Sequence, residues 1–243
     1  MRGRATRLVP LVGLALAAAC GHAWSIHPLF GEKELVYEPA LLGVWGDLAS
    51  PGDDRWVLLR RSDTSRALIL VLGDSAAAGM LARTDLESLL ADDSTTRAKL
   101  ERDPAARARR ERDSAVVAGL HTDARGPRWF DVRLGRIGGV LFADLSPETF
   151  ADSEPRLGRP MEIPAHWFWR ISVEGDRLRV VPFSEDWLKK RIDSSRVRIA
   201  HEKEGDNVVL TAPTNELQRL VSQYAKDTGA FPAKGEIVLH RRR

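Results

Sequence analysis

Cysteine is nearly absent from this chain: among 243 residues only Cys20 carries a thiol. One thiol excludes an intramolecular disulfide framework. The six histidines never fall as His-x-His or His-x-x-x-His, so a Cys/His metal site lacks its ligand set. No metal is expected, and with no phosphate loop and no dinucleotide fingerprint, no cofactor either. Long apolar runs are missing beyond the N terminus. The run there, Leu8 to Ala19, is followed by Cys20 and ended by His22, short of the roughly 20 apolar residues a spanning helix needs. A charge excess is missing too. The chain has 37 Lys and Arg against 34 Asp and Glu, but Arg2, Arg4 and Arg7 precede the apolar run, and the remainder is balanced. A nucleic-acid partner is therefore not expected. Arg241-Arg242-Arg243 reads as a solvated tip.

What stands at the N terminus is a basic segment, an apolar core from Leu8 to Leu16 and the small residues Ala17, Ala18 and Ala19. That order predicts a cleaved secretory leader over residues 1–19. The stretch Leu16-Ala17-Ala18-Ala19-Cys20-Gly21 resembles the lipobox of bacterial lipoproteins, although its leucine lies one place further from the cysteine than in most such boxes. The resemblance implies that Cys20 is lipidated and becomes the first mature residue. Acyl chains such as palmitate would then hold the domain at a membrane, since two chains already suffice for stable anchoring. Gly21 after the cysteine implies the outer membrane of a bacterial cell envelope, facing the periplasm. The alternative is an ordinary cut after Ala19 that leaves Cys20 as a free thiol.

Residues 20–35 read as a tether and residues 36–243 as one β-rich domain. Strands are predicted at Ala40–Leu48, Arg55–Arg61, Arg66–Leu72, Trp129–Leu134, Val140–Leu145, Trp167–Val173 and Arg177–Pro182, with turn signals between them. Further strands are predicted at Val197–Glu202, Asn207–Thr211 and Glu236–His240. Ser184 caps a helix with acids in its first turn and bases in its last. Leu217, Leu220, Val221 and Tyr224 repeat with helical period in a second helix, Asn215–Lys226. Residues 83–123 form a charged insertion: from Ala91 to Ser114 thirteen of twenty-four residues are charged, and Pro104 interrupts the middle. The expectation is a mainly β (α+β) fold, an antiparallel meander curling into a barrel or half-barrel with two or three peripheral helices.

Three resemblances bear on function. Ile26 to Phe30, Glu34 to Trp45 and Val180 to Lys190 look like stretches of a group of uncharacterised bacterial lipoproteins with small β-rich domains. Gly43-Val44-Trp45 resembles the Gly-x-Trp of lipocalins. This implies a lipocalin-like barrel whose tryptophan plugs the closed end against an arginine near the last strand, a place Arg241 can fill. Trp45, Phe142 and Trp167 are the candidate pocket or core residues, and Trp167 and Trp169 share one side of their strand. Leu68 to Ser75, with Gly73-Asp74-Ser75, is similar to the nucleophile block of GDS-type (SGNH) esterases. That chemistry needs a histidine base and an oxyanion donor. Asn207 and Asn215 are the only asparagines and neither lies in Gly-x-Asn-Asp, and no Asp-x-x-His occurs. The expected function is therefore non-catalytic binding of an apolar small molecule. The alternative is a structural subunit that binds an envelope protein.

Overall fold

Side chains that alternate along a strand can line a closed sheet on one face and take a second layer on the other. The computed structural model describes residues 23–48, 55–60, 66–73, 102–122, 128–147, 165–205 and 207–242. The expected leader, residues 1–19, and Cys20 lie outside the described residues. A short strand β1 (Trp24–Ser25) precedes β2 (Gly43–Gly46), β3 (Arg55–Arg60), β4 (Leu68–Gly73), β5 (Arg128–Ile137) and β6 (Val140–Pro147). Then come β7 (His166–Glu174), β8 (Arg177–Pro182), β9 (His201–Glu204), β10 (Asn207–Leu210) and β11 (Ile237–Arg242).

From β2 to β8 each strand pairs antiparallel with the next, and β11 pairs with both β8 and β2. The result is a closed eight-stranded antiparallel barrel of lipocalin-like, up-and-down order. Closure removes the open edges that eight short strands would otherwise present. Register fixes the interior. Trp45 stands opposite Trp56 and Arg241, Leu58 opposite Leu70, Val132 opposite Leu145, and Ile171 opposite Val180. Leu68, Leu70, Leu134, Ala143 and Leu178 complete a sealed inner cluster.

The outer face of β6, β7 and β8 carries the second layer. Helices α2 (Glu185–Asp193) and α3 (Thr214–Tyr224) sit in the excursion between β8 and β11, and both pack there. The Ser184 hydroxyl accepts the Trp187 amide at the start of α2, as its position predicts. Leu217, Leu220 and Val221 are buried from α3. Phe30, Phe142, Phe168, Phe183 and Phe231 fill the space between helices and barrel. In the charged insertion the described helix is α1 (Pro104–Thr122). Pro104 begins it, directly after a break at Asp103 that separates it from the helical Arg102, and the Asp103 carboxylate accepts the Ala105 and Ala106 amides.

Residues 23–35 differ from the expected tether. β1 pairs parallel with β10 and antiparallel with β7, and Leu29, Phe30 and Leu35 are buried. The Leu29 amide donates to Asp144, and Thr214 and Gln218 of α3 bond to the Pro28 and Leu29 carbonyls. The Phe30 ring lies across β5 at Gly135, where a β-carbon would collide with it. A short apolar cluster between prolines and charges does not announce this in sequence, because its partners lie over a hundred residues away. Phe30→Ala is expected to cost about 3–5 kcal/mol in urea unfolding. An unchanged midpoint would mean that the segment is a tether after all.

Candidate functional site

The two ends of the barrel are built differently. At one end the connections are tight: Gly138 and Gly139 join β5 to β6 with φ of 58° and 79°, and Gly175 turns β7 into β8 at φ 61°. Here a 3-10 turn, Pro39–Leu41, leads into β2 and closes the interior. Trp45 is completely buried, and its indole donates to the Leu41 carbonyl at 2.8 Å. The Arg241 guanidinium lies 4.3 Å from the Trp45 ring centre and donates to the Leu42 and Ala40 carbonyls, each at 2.6 Å. Gly43 makes this possible. Its φ of 124° suits glycine alone, and a β-carbon there would stand 2.8 Å from the Arg241 guanidinium. The Gly-x-Trp and its arginine thus form one unit, in the arrangement that the lipocalin resemblance implied. Arg136 pairs with Glu38 at 3.2 Å beside it, and Arg60 stacks 4.9 Å from the centre of the Tyr37 ring.

At the other end the connections span residues 47–54, 74–127, 148–165 and 183–236. The inner face there is aromatic. Trp56 of β3 meets Trp169 of β7 with ring centres 5.4 Å apart and tilted by 31°. Phe130 of β5 meets Trp167 of β7 edge-on at 6.0 Å. All four are half-buried and rest on the sealed inner cluster, flanked by Leu72 and Ile237. Offset and edge-on rings leave quadrupole faces and edges to meet another flat apolar body.

Of the three candidate pocket residues, Trp45 is the plug and Trp167 belongs to the aromatic end. Phe142 does not face the interior. It stands opposite Gly135 and Arg170 on the outer wall and packs on Phe231 at 5.5 Å. Its expected inward position is corrected for a physical reason: β6 is buried on both faces, so its apolar run gives no parity from which to read an inward side. Trp56 and Phe130 went unread, though period-2 alternation through Trp56 and Leu58, and through Phe130, Val132 and Leu134, places them on the inner face with Trp169.

One further polar pair is buried, on the outer wall. Asp144 takes the Leu29 amide on one oxygen at 2.7 Å and faces His166 Nδ1 with the other at 2.8 Å. This pair fixes the N-terminal crossing against β6 and β7. Ser25, opposite His166 in register, is fully buried and donates to the Leu210 carbonyl, so it does not present a nucleophile. Ser75 lies outside the described residues. Among the described residues no group of three His, Cys, Asp or Glu gathers for a metal, and no helix is long and apolar enough to cross a membrane.

The fold and plug define a lipocalin-like barrel with a helical outer layer. The chain matches no family model, no curated protein and no solved structure. Arg241→Ala removes two hydrogen bonds and the stacked cation, and is expected to lower unfolding stability by about 1–3 kcal/mol. Arg241→Lys, which keeps the charge but not the fork, recovers less than half of that if the two carbonyl bonds carry the effect.

Proposed function

We propose that this protein is a lipid-anchored envelope lipoprotein whose barrel binds a small apolar molecule at its aromatic end. The observation that carries the binding reading is the half-buried set Trp56, Phe130, Trp167 and Trp169. Trp45, in the same interior, is completely buried. These four instead line the barrel end that bears the long connections, the place where small up-and-down barrels hold ligands. A barrel as such supports many functions, so the support comes from these side chains and not from the fold. The anchoring reading is supported by the basic leader, its apolar core and Cys20 at its end.

Two measurements test the two halves separately. Cells fed radiolabelled palmitate should label the wild-type protein and not Cys20→Ala; equal labelling, or none, refutes the anchor. N-phenyl-1-naphthylamine, a neutral apolar fluorophore, should brighten on binding, with Trp56→Ala weakening its affinity about tenfold through lost ring contact. Absence of any enhancement with the wild type would refute the binding site.

A further inference from the structure

The indole nitrogens of the barrel's interior are not treated alike. Trp45 Nε1 has the Leu41 carbonyl. Trp169 Nε1, on the inner face at the aromatic end, is closed off from solvent and meets no acceptor among the described residues. Its register partners are Ala143 on β6 and Pro182 on β8, whose side chains carry no oxygen, and its ring lies on that of Trp56. The wall's own carbonyls are engaged in the strand ladders. A donor left unpaired in apolar surroundings is costly, and a native structure that keeps one calls for an account of what it is for.

Building on the reading that this end takes an apolar ligand, we propose that the ligand carries an uncharged acceptor oxygen, a ketone, ester or amide carbonyl set in an apolar body, which accepts from Trp169 Nε1. Ala143, Pro182 and Trp56 bring no charge to that nitrogen. Those three neighbours offer an ion no counter-charge, whereas a carbonyl needs one donor and Trp169 holds one. Trp169 is then the specificity residue of the site: the rings supply contact to any flat apolar body, and the indole N–H selects those with an oxygen at the right place.

The test uses two probes of matched shape, 2-acetylnaphthalene and 2-ethylnaphthalene, displacing N-phenyl-1-naphthylamine from the full chain carrying Cys20→Ala, so that no acyl chain competes. A merely apolar surface ranks the more hydrophobic ethyl compound first. The proposal requires the acetyl compound to bind about tenfold more tightly. It also requires Trp169→Phe to abolish that preference and Trp187→Phe, which removes from the outer layer an indole N–H unpaired among the described residues, to keep it. The indole N–H signal missing from the Trp169→Phe NMR spectrum should shift downfield with the acetyl probe alone, a readout on the wild-type fold. A wild type that ranks the ethyl compound equal or first overturns the carbonyl while leaving the apolar site standing, as does a preference that survives Trp169→Phe. If the fluorophore binds and neither probe displaces it, the carbonyl proposal falls alone; if the fluorophore does not bind, both readings fall.

Discussion

The contact on which the barrel depends is the seating of Trp45 under Arg241. An eight-stranded barrel has an interior just wide enough for side chains, so one end must be stopped by a large residue held in place. Trp45 supplies the volume, Arg241 clamps its face, and the same guanidinium ties down the carbonyls of the turn that enters β2. This joins the first barrel strand to the last across about two hundred residues of chain. Gly43 is the condition for it, since its backbone conformation and its missing β-carbon admit the guanidinium. Closing one end so firmly leaves the opposite end as the place where the interior can vary, and there the strands present rings instead of aliphatic side chains.

The second layer explains how a small barrel comes with so many buried phenylalanines. A sheet whose outer face met water would alternate apolar and polar residues, yet β6 is apolar on both sides. Its outer face is covered by α2, α3 and the N-terminal crossing, which Asp144 and His166 pin to the wall. Burying a carboxylate is expensive unless its oxygens are used, and both of those of Asp144 are. Glu185 follows the same logic at the head of α2, accepting the Val208 amide and pairing with Lys189. These two carboxylates orient the outer layer, while the hydrophobic contacts supply its stability.

What could be read in the sequence followed from local rules. Turn residues such as Gly138-Gly139 and Gly175-Asp176, alternation in β7 and β8, and the capped, amphipathic helices located most elements to within a few residues. The motif Gly43-Val44-Trp45 was legible because its residues are adjacent, and Arg241 only through the lipocalin resemblance, which implies an arginine near the last strand. Phe142 and the 23–35 segment were misread for one common reason. Each owes its place to a partner distant in sequence, and an apolar residue looks the same whether it faces a barrel lumen or a packing helix.

By itself the sequence determined the number and order of most strands, the antiparallel meander and the helical positions, because these depend on period, turn chemistry and neighbouring residue types; the pairing of Trp45 with Arg241 was only what the lipocalin resemblance implied. It also holds the case for the lipid anchor, which is written in residues 1–21. Only the tertiary structure decided that the meander closes, that β1 joins it, and that the two faces of β6 serve two different cores. It alone brought Trp56 and Phe130 to Trp169 and Trp167, and left the Trp169 indole N–H inside the barrel without an acceptor among the described residues. Such meetings depend on barrel closure and register, which are properties of all the strands together and of no single one.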